Sequence, residues 1–169
     1  PKGGKANVDK AEASHGHVGV REASRHDYDA LRSLFERFYR EEGFSDAAIE
    51  RIEHSLRDIL EREETAAFVA LIGDEVIGGA AMSTTFGLET GLYAELQDLF
   101  VEPEARRRGA GSALVDACLM WAERMGCADV EIVLTAKARA NQELLDWYAK
   151  RGFKDTGRAL WERDLRKHD

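Results

Sequence analysis

The chain has 169 residues, of which 44% are hydrophobic, and its 32 acidic and 24 basic residues give a formal net charge of −8. This length is typical of one domain with a sizeable core, and the negative charge argues against nucleic acid as a partner. No apolar run approaches membrane-spanning length, and Cys118 and Cys127 lack the spacing of metal ligands. We therefore expect a reduced, cytoplasmic protein with no metal site and no membrane partner, acting on a small molecule.

The first 16 residues carry lysine, glycine and alanine with almost nothing large and apolar. This composition is typical of a flexible tail. We expect residues 1–16 to form such a tail and residues 17–169 to form a single domain.

Strand and helix patterns alternate along the first half of the domain. Residues 17–22 predict a strand, and two amphipathic helices follow, one after Ser24 that ends near Gly43 and one that begins at Ser45. Residues 66–72 and 76–82 flank a short polar turn and predict a hairpin. Residues 84–93 contain two glycines and two aromatic residues, and we interpret them as a loop.

A strand is followed by a glycine-rich turn and a helix between residues 95 and 125. The strand ends near Val101 because Pro103 prevents its continuation, and an apolar period of helical spacing starts after Ser112. Arginines and glycines fill the turn at residues 106–111. Unpaired amide groups and the positive end of the helix dipole make such a junction a site for an anion.

The last part of the chain repeats the strand-to-helix pattern. Residues 130–135 predict a buried strand, and a helix follows from Ala140 to a cap at Gly152. Residues 158–165 predict a final strand.

Two motifs resemble those of the GNAT N-acetyltransferase superfamily. Arg106, Gly109 and Gly111 fill the R-x-x-G-x-G signature of the loop that wraps the pyrophosphate of acetyl-CoA in that superfamily. Asn141, Tyr148 and the pair at residues 152–153 reproduce a second motif, on the helix after the following strand. The resemblance implies an α/β (α+β) fold with a mixed, mostly antiparallel twisted sheet of six to seven strands and about four flanking helices.

The resemblance also implies which residues bind the cofactor, acetyl-CoA (coenzyme A). They are Leu99, Phe100, Val101, Arg106, Arg107, Arg108, Gly109, Ala110, Gly111, Ser112, Asn141 and Tyr148. A side chain at either Gly109 or Gly111 is expected to collide with the pyrophosphate. Relatives often have glycine at position 107, so arginine there requires an ordinary backbone conformation.

Transfer of an acyl group from a thioester to an amine needs a base, a donor to the oxyanion and an acid for the thiolate. A backbone N–H near the end of the strand at residues 99–101 is the candidate oxyanion donor, and the Tyr148 hydroxyl is the candidate acid. Glu95 and Asp98 are candidate bases. Because strand side chains alternate, we expect these two carboxylates to point to opposite faces. The choice between them stays open.

The acidic composition favours a cationic amine as the acceptor. Glu42, Glu89 and Glu95 lie in or beside segments expected to border the acceptor. Within the superfamily this profile is similar to that of aminoglycoside N-acetyltransferases, which acetylate amino-sugar antibiotics. Amino acids, polyamines, peptide or protein amines, a non-catalytic acyl-CoA sensor and a homodimer are left open.

Overall fold

A computed structural model describes residues 17–165, so the expected tail at residues 1–16 lies outside the described residues. The sheet is built from β1 (Val18–Glu22), β2 (Thr65–Ile72), β3 (Glu75–Gly87), β4 (Gly91–Val101) and β5 (Val130–Ile132). The helices are α1 (Tyr28–Glu41), α2 (Asp46–Glu61), α3 (Ala110–Arg124), the single turn α4 (Ala136–Arg139) and α5 (Gln142–Ala149). The mixed α/β architecture agrees with the sequence-based prediction, and within residues 17–165 the four helices longer than a single turn match the expected number of about four.

The five strands follow one another in chain order across the sheet. All neighbours are antiparallel except β4 and β5, which are parallel because α3 carries the chain back to the same end of the sheet. The prediction of six to seven strands is wrong within the described residues, since residues 158–165 form no strand. Gly157 has a φ of +73° and its N–H donates to the Asp155 carboxylate at 2.8 Å, and this tight turn interrupts the extended chain.

Two predicted boundaries also differ from the structure. Residues 84–93 are mostly strand, because β3 and β4 extend into a long hairpin that turns at residues 88–90. Residues such as Thr84 and Phe86 favour this extended conformation, and the glycines lie at its end, where Gly91 has a φ of +78°. The strand predicted at residues 130–135 stops at Ile132, because Thr135 is already the N-cap of α4.

Helices cover both faces of the sheet. α3 packs on one face, where Leu114 and Val115 are fully buried, and α1 and α2 pack on the other, where Leu31 is fully buried. α1 can pack closely on β3 because Gly79 of β3 has no side chain. A β-carbon there would lie only 2.8 Å from Cδ2 of Leu31. This packing fixes the position of α1 above the central strands, which is where the cavity described below opens.

Within residues 17–165, none of the helices combines the length and apolar content needed to cross a bilayer. In the same part of the chain, His, Cys, Asp and Glu side chains form no group of three or more that could hold a metal ion. Cys118 and Cys127 are free thiols, and burial raises the pKa of both. Neither thiol is therefore activated as a nucleophile.

An ion pair between the half-exposed Arg21 and the buried Asp27 joins β1 to the start of α1. Asp27 accepts both hydrogen bonds of a bidentate contact with Arg21, at 2.7 and 2.8 Å, and accepts a third from the Ser24 N–H at 2.8 Å. These hydrogen bonds, chiefly that from Arg21, lower the pKa of Asp27 to about 2. The lowered pKa means that the pair contributes its full stability above the ordinary aspartate pKa of 3.8.

We predict that Asp27→Asn lowers the free energy of unfolding by roughly 2 kcal/mol at neutral pH. The difference between the wild type and the variant should shrink as the pH falls through about 2, where Asp27 becomes protonated. Urea unfolding of both proteins across this pH range measures it. A difference that stays constant with pH would contradict the assignment.

Candidate active site

The strands β4 and β5 separate part-way along their length. They pair only where Ala94–Leu96 lies beside Val130–Ile132, whereas β4 continues to Val101. The chain leaves β5 for α4, which is capped by the Thr135 hydroxyl accepting from the Ala138 N–H at 3.2 Å. On the β5 side, the peptide groups of residues 97–101 therefore have no strand partner within residues 17–165. These residues line an open cavity of about 1460 Å³.

A β-bulge decides where the two strand carboxylates point. Gln97 of β4 has no partner on β3, so the register shifts by one residue there. Glu95 lies opposite Ser83 and Asp98 opposite Ala81, and these two residues of β3 share a face because they are two apart. The prediction that Glu95 and Asp98 point to opposite faces is wrong, since it assumed a ladder without a bulge. Both residues line the cavity.

Asp98 is largely buried beneath Tyr39 of α1. The Tyr39 hydroxyl lies 3.1 Å from one oxygen of the Asp98 carboxylate and 3.3 Å from the other, and it donates its hydrogen to this group. Burial raises the pKa of Asp98; the hydrogen bond opposes this change, and the negative charge of Glu95 adds to it. No positively charged side chain contributes to this balance. Burial, reinforced by the charge of Asp98, raises the pKa of Tyr39 as well.

The loop before α3 presents amide groups to the cavity. Gly109 is the N-cap with a φ of +88°, and the Ala113 N–H is bonded to its carbonyl at 3.0 Å. The amides of residues 110–112 precede that bond and have no partner within the helix. Together with the positive end of the helix dipole, they can hold an anion. Arg106 and Arg107 line the same end of the cavity and add positive charge.

Arg106 is anchored on the end of β4. Its Nε–H donates to the Val101 carbonyl at 2.9 Å, and its guanidinium carbon lies 5.6 Å from the centre of the Phe100 ring. All the residues predicted for the site line the cavity except Arg108 and Ala110. The Arg108 side chain is exposed outside it, and the Ala110 side chain belongs to the core, although its amide is one of the unpaired groups.

The two glycines of the loop differ in what surrounds them. A β-carbon at Gly109 would meet nothing within 4 Å, so this position is open. A β-carbon at Gly111 would lie 3.4 Å from Cζ2 of Trp147 on α5. A β-carbon at that distance makes an ordinary van der Waals contact, so the expectation that a side chain at either glycine collides with the pyrophosphate stays a prediction.

Asn141 and Tyr148 bracket α5. Asn141 is its N-cap, and the side-chain Oδ1 accepts from the Leu144 N–H at 3.2 Å. Tyr148 lies two turns further on, and both residues line the cavity. Gly152 caps the end of the helix as predicted: its φ is +86°, and the Phe153 N–H after it donates to the Tyr148 carbonyl at 3.2 Å. The cap occupies one atom of the Asn141 amide and leaves its NH₂ group as a donor.

Aromatic neighbours hold the ring of Tyr148. The ring centroids of Trp147 and Phe153 lie 4.9 and 5.6 Å away, both in edge-on geometry. Among the residues that the structure describes, none hydrogen-bonds to the Tyr148 hydroxyl. Burial raises the pKa of Tyr148. The hydroxyl is therefore protonated and available as a donor.

Three residues near the cavity were not found from the sequence. In the sequence, Tyr39 is one of several aromatic residues of an amphipathic helix. Only the tertiary structure shows that its hydroxyl contacts Asp98. The other two residues, Trp147 and Arg151, form a cation–π pair in which the guanidinium carbon lies 3.6 Å from the ring centroid. Arg151 also donates a hydrogen bond to the Ser112 hydroxyl. Their spacing of four residues on a helix was the available signal.

Arg107 has a strained backbone. Its φ of +61° is the one positive value at a non-glycine residue in residues 17–165, whereas an ordinary conformation was expected. A β-carbon in this region costs about 1–2 kcal/mol, and the greater chain entropy of unfolded glycine offsets part of that.

We predict that Arg107→Gly raises the free energy of unfolding by up to about 1 kcal/mol. Chemical denaturation measures it, and Arg108→Gly, at a position without positive φ, should not be stabilising. A stabilised Arg108→Gly with an unstabilised Arg107→Gly would contradict the assignment.

Comparisons with known proteins agree with this geometry. The model of the acetyltransferase (GNAT) family matches residues 28–153. An uncharacterized N-acetyltransferase, YhfO, of Bacillus subtilis is 29% identical over 143 residues, which cover 83% of this chain and 93% of that protein. An uncharacterized N-acetyltransferase of Methanocaldococcus jannaschii is 24% identical over 141 residues, which are 80% of this chain. The match spans about 60% of the length of that relative.

Solved structures share the fold. An integron cassette protein from a salt-marsh metagenome has a TM-score of 0.73 and 26% identity, covering 88% of this chain and 91% of that one. The aminoglycoside N-acetyltransferase AAC(6')-Iy, solved with a bisubstrate analogue, has a TM-score of 0.73 and 23% identity, covering 88% and 98%. The predicted superfamily, enzyme class and acetyl-CoA cofactor are confirmed by the family match. The chain belongs to the acetyltransferase (GNAT) family.

Proposed function

We propose that this chain transfers an acetyl group from acetyl-CoA directly to a primary amine of a small cationic acceptor, with aminoglycosides favoured. The observation that carries the proposal is the separation of β4 from β5. It makes one continuous cavity that joins the amide-rich start of α3 to the carboxylates of Glu95 and Asp98. An anion-binding end and an acidic end in one cavity suit a phosphorylated acyl donor and an amine acceptor.

The donors on this chain fit acetyl-CoA. The amides of residues 110–112, with Arg106 and Arg107 beside them, can bind the pyrophosphate. The unpaired edge of β4 at residues 97–101 can hydrogen-bond the amide groups of the pantetheine arm, as an added strand would. The NH₂ group of Asn141 can donate to the same arm. Acetyl-CoA supplies an activated acetyl thioester at the end of that arm.

Glu95, Asp98 and Tyr148 then have complementary proton-transfer roles. An amine attacks only when it is neutral, so Glu95 or Asp98 removes its proton. As the neutral nitrogen bonds to the acetyl carbon, an N–H at the end of β4 stabilises the negative charge that the carbonyl oxygen takes up. The carbon–sulfur bond then breaks, and the nitrogen gives up its second proton, which replaces the one that Tyr148 loses. The Tyr148 hydroxyl donates its proton to the departing sulfur. Its raised pKa keeps that proton in place until the sulfur becomes charged.

The charges lining the cavity favour a cationic acceptor. Six carboxylates of the described chain line it: Glu41, Glu42, Asp58, Glu95, Asp98 and Glu143. Two of them are paired, Glu42 with Lys137 at 2.7 Å and Asp58 with Arg62 at 3.1 Å. The suggestion that Glu89 borders the acceptor is wrong, because Glu89 is outside the cavity lining and pairs with Arg158 at 3.1 Å. The uncompensated carboxylates at Glu95 and Asp98 carry this argument instead. They would attract an ammonium group.

Aminoglycosides are the acceptor class to test first because they carry several ammonium groups. The fold similarity to AAC(6')-Iy, an aminoglycoside N-acetyltransferase, supports this choice. A cytoplasmic location remains a prediction.

The test is release of coenzyme A from acetyl-CoA in the presence of kanamycin-type and gentamicin-type compounds, spermidine, amino acids and peptides. We expect the polycations to be acetylated with the highest kcat/KM. That value should fall as salt rises, because ions screen charges in exposed clefts over about 8 Å at physiological ionic strength. Acetylation of a neutral or acidic amine, with no activity on either aminoglycoside type at any salt concentration, would contradict the acceptor assignment.

A further inference from the structure

We infer that Tyr39 controls the charge and orientation of Asp98, and through Asp98 the transfer of the acetyl group. This inference builds on the proposed function, because it assigns a positioning residue to the same site. The observation behind it is the contact of one hydroxyl with both oxygens of a carboxylate in the cavity, at 3.1 and 3.3 Å. Tyr39 reaches Asp98 from another element, α1, across 59 residues of chain.

The ring of Tyr39 is fixed by other aromatic side chains. It stacks on Phe44, with centroids 4.6 Å apart and planes 22° apart, and it meets the edge of Phe38 at 5.6 Å. These contacts involve the ring and not the hydroxyl. A phenylalanine could therefore satisfy the packing, and the hydroxyl is left with the Asp98 contact as its distinct contribution.

Among residues 17–165, Tyr39 is the one residue whose side chain hydrogen-bonds to the Asp98 carboxylate. The neighbour of Asp98 across the β3–β4 ladder is Ala81, which carries no charge. On β5, Glu131 lies in register with Glu95 but is paired with Arg158 at 3.2 Å. The Tyr39 hydroxyl is therefore the group that favours the ionised form of Asp98 against the effect of burial.

At the end of α1, the C-cap Glu42 also lines the cavity, and Lys137 already neutralises it at 2.7 Å. Asp98 thus remains a carboxylate without a cationic partner, held in place by a neutral donor. A neutral donor leaves the negative charge of Asp98 available to an incoming amine. A lysine or arginine at position 39 would cancel that charge. This arrangement suits a carboxylate that must attract an ammonium group or accept a proton.

A double-mutant cycle tests the inference. Tyr39→Phe should lower kcat about 10- to 100-fold, the value of one hydrogen bond to a charged group. In an Asp98→Asn background the same change should cost less than about 2-fold, because the path through Asp98 is already lost. Equal losses in the two backgrounds would show that Tyr39 acts independently of Asp98 and would overturn the inference.

Tyr28→Phe is the matched control, since it removes another α1 hydroxyl, bonded to the Glu53 carbonyl outside the cavity at 3.2 Å. We expect it to leave kcat unchanged.

A second measurement does not depend on finding the acceptor. Carbon-13 NMR titration of the Asp98 carboxyl should show a higher pKa in Tyr39→Phe than in the wild type, because the bond that favours the anion is lost. An unchanged pKa would overturn the inference. Wild-type protein that acetylates no amine would refute the proposed function, and the titration would still decide whether Tyr39 controls the charge of Asp98.

Discussion

Tyr148→Phe should lower kcat roughly 10²-fold or more with little change in stability. The phenylalanine ring keeps the edge-on contacts with Trp147 and Phe153, at 4.9 and 5.6 Å, and only the hydroxyl is lost. In the wild type that hydroxyl has no hydrogen-bond partner among residues 17–165, so removing it leaves no described group unsatisfied. Steady-state kinetics at saturating acetyl-CoA, together with the unfolding midpoint, measure the two effects.

The leaving group provides the control for Tyr148. An acid is needed only when the departing thiolate is basic, so an acetyl donor with a more acidic thiol should lose less activity in Tyr148→Phe than acetyl-CoA does. An equal kcat for Tyr148→Phe and wild type with acetyl-CoA would make water or another group the acid. A large loss of stability would make Tyr148 a structural residue instead.

Removing both carboxylates, with Glu95→Gln and Asp98→Asn together, should reduce kcat/KM by about 10²- to 10⁴-fold, the usual contribution of a general base. The bulge at Gln97 brings the two groups to one face, so each can serve the same amine. The single variant with the larger loss identifies the base. If the double variant keeps more than about a tenth of wild-type kcat/KM, neither carboxylate is the base and a water-mediated route replaces them.

Replacing Asp98 should have opposite effects on stability and on activity. Its pKa is raised by burial, so the folded state binds the proton more tightly than the unfolded state does. The stability it contributes is present at acidic pH and is lost as the pH rises through the raised pKa. Asp98→Asn should therefore unfold at higher urea than the wild type at neutral pH while it loses activity. A destabilised Asp98→Asn would show that the aspartate is retained for folding rather than for catalysis.

Local sequence signals were sufficient where one element determines the structure. The amphipathic periods of α1 and α2, the cap at Gly152 and the strand-to-helix junction at Gly109 depend on residues within a few positions of one another. Their physical causes are helical spacing, left-handed glycine and the unpaired amides of a helix start. The junction motif and the α5 motif, in this order, were enough to predict the family.

Features that depend on two elements could not be predicted. The bulge at Gln97 arises from the shift in register between β3 and β4, and the residue pattern of one strand does not determine that register. The contact of Tyr39 with Asp98 needs α1 to lie over β4, which depends in turn on the close approach at Gly79.

The most direct test of the account is thermal unfolding with and without acetyl-CoA. At a concentration of one hundred times its dissociation constant, acetyl-CoA should raise the free energy of unfolding by about 2.7 kcal/mol. For a domain of this size, that corresponds to an increase of about 5–10 °C in Tm. Acetyl-CoA that leaves Tm unchanged at millimolar concentration would contradict the claim that the cavity between β4 and β5 binds it.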